Sequence, residues 1–260
     1  LAISIRNYNE YNYCEIIDSI KKAGFKNVFI EWYNENRSLQ ENVLSYVRKV
    51  GLNIIFAHLG YQKCNSLWKK DIEGDKEVER YLYDIDVCSN EGISLIIMHP
   101  TFEYENPGRT EIGLRRIKKI INYATEKNVK IAFENIELIE YLEYIINNIE
   151  SDNLGVCFDV GHCNLFSKGE FNINVFKNKV FAVHLHDNFG KSDEHNLPFD
   201  GNINWDKTVS QINDLNYKGY LVLECGYSEF YRNISIDDYY KMAYNRASKI
   251  KNLLNNCRKN

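Results

Sequence analysis

The chain has 260 residues, 44% hydrophobic, 26% charged and 13% aromatic, with 14 Gly and only 3 Pro. That composition excludes disordered, collagen-like and linker-like chains, while the length suits one closed α/β barrel, which takes about 250 residues. With 36 acidic against 32 basic residues the formal charge is −4, too mild to demand a polyanionic partner.

Short apolar runs alternate with amphipathic stretches from end to end. Ala2–Ile5 is the first run; Arg6-Asn7-Tyr8-Asn9 and a helical pattern over Tyr13–Ala23 follow, with Gly24 as stop signal. Residues 27–30 run into Glu31, then Trp32 and Tyr33, then a helix over 40–50 stopped by Gly51. Residues 53–57 end in His58 and lead to a helix over 78–91 stopped by Gly92; residues 94–98 end in His99 and lead to one over 112–127. Residues 130–133 end in Glu134, with a helix over 138–149, and residues 154–158 end in Asp159. Residues 180–183 end in His184, with a helix over 205–215; residues 220–223 end in Glu224, with a helix over 236–255.

The runs are about five residues long, rich in Ile, Val, Leu and Phe, and lack strict alternation, so they read as strands buried on both faces. Strict β/α alternation argues a parallel sheet, and eight units of about 32 residues favour closure. The expectation is a single (β/α)8 TIM barrel over residues 1–260, its active site at the C-terminal rim of the strands. An open doubly wound sheet would want a GxGxxG after the first strand, where Arg6-Asn7-Tyr8-Asn9 stands. No stretch approaches 18 apolar residues, and the N-terminus lacks a basic region followed by an apolar segment and a cleavage site. The seven Cys (14, 64, 88, 157, 163, 225, 257) include no CxxC pair, so reduced thiols and a cytoplasmic setting are expected. The chain begins at Leu1, which reads as loss of a start Met or a tag.

Seven successive strands therefore finish in a carboxylate or imidazole. Imidazole caps a helix poorly and Glu weakly, so helix capping does not explain the series. Four carboxylates at one mouth would repel unless protons or a cation compensated, and a divalent metal is the economical answer. Mixed His and carboxylate ligands suit Mn, Co, Fe or Zn; Mg favours an all-oxygen shell. In the seventh strand, alternation aims His184 and His186 the same way, with Leu185 opposite. His162 and His186 are placed to orient substrate hydroxyls. Bland readings suit other residues: Trp68 as a loop anchor, Trp205 as the core start of a helix, and Cys157, Cys163 and Cys225 as small buried hydrophobes. Lys191 and Arg109 read as solvated loop cations.

Phe133-Glu134-Asn135, Phe158-Asp159-Val160-Gly161-His162, His184-Leu185-His186-Asp187-Asn188, the segment 193–205 and Leu223-Glu224 together carry a resemblance. Across essentially its whole length, the chain resembles the xylose isomerase-like TIM-barrel superfamily. That group holds sugar isomerases and epimerases and also zinc-dependent abasic-site endonucleases. Similarity to the ketose epimerases implies one divalent metal (Mn, Co, Mg, Fe or Zn) held by Glu134, Asp159, His184 and Glu224. It also implies Glu134 and Glu224 as the acid/base pair and His162 as a contact to substrate oxygens. Glu31 matches a position that contacts sugar hydroxyls in isomerase-like members, and His58, His99, Asp193 and His195 join the substrate-binding set. The chemistry is coherent: removing a proton next to a carbonyl needs the enediolate charge stabilised, and two carboxylates can remove and return the proton.

The endonuclease alternative matches at nine positions: His58, His99, Glu134, Asp159, His162, His184, Asp193, His195 and Glu224, implying up to three Zn. Tyr61 even falls three residues after the first His, as in those enzymes. Against it, their Ser- and Gly-rich loop after the first strand is absent, and Cys163-Asn164-Leu165-Phe166-Ser167-Lys168 lacks their small-residue pattern. Basic residues near the mouth are few (Arg6, Arg37, Lys63, Arg109, Lys168, Lys191), which is thin for phosphate neutralisation. A small carbohydrate substrate is therefore expected, with no membrane or nucleic-acid partner and a homodimer as in many similar enzymes. A metal-dependent dehydratase or lyase, and a barrel that keeps its metal site only for binding, are the remaining alternatives.

Overall fold

In the computed structural model, which describes residues 1–6, 11–32 and 36–259, eight parallel strands close into a barrel in chain order. The strands are β1 Ala2–Ile5, β2 Asn27–Glu31, β3 Asn53–His58, β4 Leu95–Met98, β5 Lys130–Glu134, β6 Leu154–Asp159, β7 Val180–Leu185 and β8 Val222–Leu223. Among the described residues the α-helices are α1 Tyr13–Ala23, α2 Arg37–Lys49, α3 Ile72–Asn90, α4 Glu111–Glu126, α5 Ile139–Asn148, α6 Val160–Ser167, α7 Trp205–Asp214 and α8 Ile236–Cys257. The expected (β/α)8 architecture is the one observed. Asn7, Tyr8, Asn9 and Tyr33 lie outside the described residues.

The chain folds as two compact units. In the first, Leu1–Ile55 with Phe158–Asn260, β1 pairs with β2 and with β8, and β7 pairs with β8. Helix α1 shows how local sequence sets an element. Asn12 Oδ1 accepts from the Glu15 backbone N–H while the Glu15 carboxylate accepts from Asn12 N–H, a reciprocal cap. Gly24 ends the helix at φ +104°, where a side chain would be strained. Between these ends Ile16, Ile17 and Ile20 are buried, each worth about 1.5–3 kcal/mol, and α8 packs against both α1 and α7.

In the second unit, Phe56–Cys157, β4 pairs with β3 and β5, and β5 pairs with β6 so that Glu134 lies opposite Cys157. Helix α3 packs on α4, and a 3-10 turn, Cys64–Trp68, packs against both. Trp68 is fully buried, donates Nε1–H to Pro100 O at 2.8 Å, and lies over Gly113, where a Cβ would come within 2.3 Å of the indole. It is a loop anchor, as its sequence context suggested.

Differences from the sequence reading have local causes. Helices α2 and α3 start earlier, at Arg37 and Ile72, because Asn36 and Asp71 cap polar first turns that carry no apolar periodicity. Strand β8 is shorter than expected, beginning at Val222. Helix α6 has no sequence pattern to bound it: Gly161, His162 and Asn164 interrupt any apolar stripe, and the helix forms because Asp159 Oδ1 accepts the His162 N–H at 2.6 Å. All seven Cys are free thiols. Among the described residues, no helix is long and apolar enough to cross a membrane.

Candidate metal centre

Glu31, His58, Glu134 and Asp159 are the last residues of β2, β3, β5 and β6; His99 and Glu224 immediately follow β4 and β8. His184 is the penultimate residue of β7. Strand ends thus set the positions of all seven side chains.

Within Phe56–Cys157, His58 Nε2 lies 3.1 Å and His99 Nε2 3.0 Å from the same oxygen, Glu134 Oε2. Ligand atoms of the three lie within 4.8 Å of one another, and all three side chains are buried. His58 Nδ1 is 3.2 Å from Leu59 O. A ring that donates its Nδ1–H to a carbonyl turns a lone pair, not a proton, toward the carboxylate at Nε2. That confrontation is repulsive unless a proton or cation intervenes, and a histidine anchored through one N–H on a carbonyl is arranged as metal ligands usually are. Tyr61 stacks flat on His99, centroids 4.0 Å apart at 13°, and meets His58 edge-on. Its position after β3 thereby holds both rings.

Within the other unit, His184 Nδ1 lies 3.2 Å from Glu224 Oε2 and 3.7 Å from Asp159 Oδ2. All three are buried, and Phe29 stacks on the His184 ring at 5.3 Å and 12°. Two buried carboxylates on one imidazole nitrogen carry excess negative charge that a divalent cation would balance. The donor set therefore fits such an ion.

His162, His186, Asp193 and His195 form a second group in this unit, with ligand atoms again within 4.8 Å of one another. Asp193 Oδ2 is 2.8 Å from His195 Nε2 and 3.3 Å from His162 Nε2. His195, held at φ +49°, places Nδ1 2.7 Å from Glu224 O, so its Nε2 also faces a carboxylate with the carbonyl-anchored geometry of a ligand. Burial pushes the Asp193 carboxyl up, but His195 and His162 outweigh it and hold the group well below the usual carboxylate range. Burial, then Arg6 and His186, lower His195. Burial also lowers His186, yet the charge and hydrogen bond of Asp159 outweigh it and raise the ring above its ordinary value.

Glu31 is engaged by Arg6, whose Nε lies 2.5 Å from Glu31 Oε1. Cys157, Cys163 and Cys225 are buried, and burial pushes the Cys225 thiol well up, away from any nucleophilic role. Lys191 is exposed, and the Arg109 guanidinium lies 5.8 Å from the Tyr144 ring.

One organising residue escaped the sequence reading. Asp187, fully buried, accepts from Asn188 N and Ile203 N through Oδ1, and from Phe199 N and Trp205 Nε1 through Oδ2, at 2.7–3.1 Å. It thereby shapes the segment carrying Asp193 and His195. The available signal was a charged residue two positions past the end of a strand, but its four partners are set only by tertiary contact.

A family model described as a xylose isomerase-like TIM barrel matches residues 12–249. The uncharacterised protein y4fM of Sinorhizobium fredii is 26% identical, over 93% of this chain and 89% of its own length. Two solved structures are similar in fold. D-psicose 3-epimerase from Clostridium cellulolyticum H10 has a TM-score of 0.74 at 14% identity, covering 97% of this chain and 98% of its own. An L-ribulose 3-epimerase has a TM-score of 0.75 at 15% identity, covering 100% and 95%.

Proposed function

Because the chain belongs to the xylose isomerase-like TIM-barrel family, we propose that it is a divalent-metal-dependent isomerase or epimerase of a sugar, sugar phosphate or polyol derivative. The observation that carries this reading is the convergence of Asp159 and Glu224 on His184 Nδ1, at 3.7 and 3.2 Å, in a buried setting. Similarity to the ketose epimerases supports Glu134, the last residue of β5, as the fourth ligand. The 3-epimerase activities named for the two similar structures support a carbohydrate substrate.

A divalent cation bound there supplies Lewis acidity to the substrate carbonyl. Glu134 and Glu224 act as the acid/base pair, one removing the proton from the carbon beside the carbonyl and the other returning a proton to it. His162, held by Asp193 at 3.3 Å, orients substrate hydroxyls; the family resemblance supports His58, His99, His195 and Glu31 as further substrate contacts. Residues 1–260 work as a single catalytic domain, in the cytoplasm.

The test is substitution with isosteres that cannot exchange the proton. Glu134→Gln and Glu224→Gln should each cut turnover of a ketose substrate by at least about 10³-fold, with the folded structure retained by circular dichroism. Near-wild-type turnover in either variant sinks the acid/base assignment.

A second reading, a three-zinc abasic-site endonuclease, is favoured by the two additional ligand groups and by the carbonyl-anchored rings of His58 and His195. The Arg6–Glu31 ion pair weighs against it, since it spends one of the few rim cations on a carboxylate instead of phosphate. Counting metals per purified chain separates the two: one Mn, Co, Mg or Fe supports the epimerase, and three Zn with cleavage of an abasic duplex supports the nuclease.

A further inference from the structure

Gly161 sits in the first turn of α6, where a Cβ would lie 1.9 Å from His186 Cε1 and 2.3 Å from both ring nitrogens. Only glycine leaves room for that imidazole. The ring is fully buried. Its Nε2 lies 3.1 Å from Asp159 Oδ1, while its Nδ1 is buried without a hydrogen-bond partner. With no acceptor at Nδ1, the proton of the neutral ring belongs on Nε2, where it is donated to Asp159.

Asp159 Oδ1 thus receives two donors, His186 Nε2–H and the His162 backbone N–H at 2.6 Å. Two donors from different directions on one oxygen fix the plane of the carboxylate and leave Oδ2 directed to His184, 3.7 Å away.

We propose that His186 is a positioning residue, which locks Asp159 in the rotamer that offers Oδ2 to the metal, and that Gly161 is required to seat it. This rests on the reading of Asp159 as a ligand. The rival role is that His186 itself ligates a second ion with His162, Asp193 and His195. Distance favours the first: Nε2 is nearer Asp159 than Asp193, whose Oδ1 is 3.7 Å away. The His195 ring, stacked on His186 at 4.1 Å and 22°, buttresses the imidazole from one face.

The experiment is Mn²⁺ titration of metal-free wild type and of His186→Ala, His186→Gln, Gly161→Ala and the Gly161→Ala/His186→Ala double variant. Affinity and stoichiometry are read from free Mn²⁺ by electron paramagnetic resonance, and folding from thermal melts of the apo proteins. His186→Ala and Gly161→Ala should each weaken binding about 10–100-fold at unchanged stoichiometry. His186→Gln, whose amide N–H can replace the lost donor, should recover most of the affinity. Gly161→Ala should do no further harm once the ring is gone. Gly161→Ala keeps every polar group and improves local helix propensity, so it carries the test if His186→Ala fails to fold. Wild-type affinity in Gly161→Ala or in folded His186→Ala overturns the proposal. So does loss of one ion per chain with the remaining affinity unchanged, which would make His186 a ligand. A wild-type chain that binds no Mn²⁺ or other divalent ion overturns the metal reading beneath it.

Discussion

The segment after β7 and the segment after β3 are irregular chain of similar purpose, each carrying or adjoining site residues, yet they are built around opposite charges. After β7, the buried Asp187 carboxylate gathers N–H donors from Asn188, Phe199, Ile203 and the Trp205 indole. After β3, the Arg116 guanidinium, reaching out from α4, donates to the carbonyls of Leu67, Lys69 and Asp71 and to Asp75. An anion satisfies backbone donors and a cation satisfies backbone acceptors. Loops with no ladder of their own must place these groups somewhere once buried. A single central charge does so for several at once, and glycine makes the approach possible in both: Gly201 against Asp187 and Gly74 against Arg116.

Substitution of either central charge tests how much each segment depends on it. Asp187→Ala should have the largest effect, a loss of about 3–5 kcal/mol in urea unfolding, because it strands several buried donors together. It should also weaken metal binding, since His195, carried by the same segment, buttresses the His186 ring that holds Asp159. Unfolding energies within 1 kcal/mol of wild type would show that water replaces the carboxylate and that the hub is dispensable. Arg116→Met, which keeps the apolar stem, should cost about 2–3 kcal/mol, less than Asp187→Ala because carbonyls near the surface recover solvent more readily. A larger loss for Arg116→Met than for Asp187→Ala would reverse the ranking of the two hubs. Trp68→Phe is the finest probe. It keeps an aromatic over Gly113 but removes the bond to Pro100 O, and should cost about 1 kcal/mol with no change in metal affinity.

Much of the barrel was legible in the amino-acid order. Runs of Ile, Val and Phe placed every strand to within two residues, and α1 was bounded correctly because Asn12, Glu15 and Gly24 are local signals. The strand-end residues were equally legible, since a polar side chain closing an apolar run stands out in one dimension. Helix α6 was not, because its cap is itself a candidate metal ligand and its first turn holds Gly161 for the sake of a ring on another strand. Nor were the roles of Asp187 and Arg116, whose partners lie up to 18 and 50 residues away.

The sequence by itself therefore determined the β/α rhythm, the family and the identity of the residues at the strand ends, because periodicity and capping act over a few residues of chain. Only the tertiary structure decided which nitrogen faces which oxygen, which carboxylate organises a loop and which meets His184. Those choices depend on distances between chain segments remote in sequence, and on how each buried polar group finds its partner.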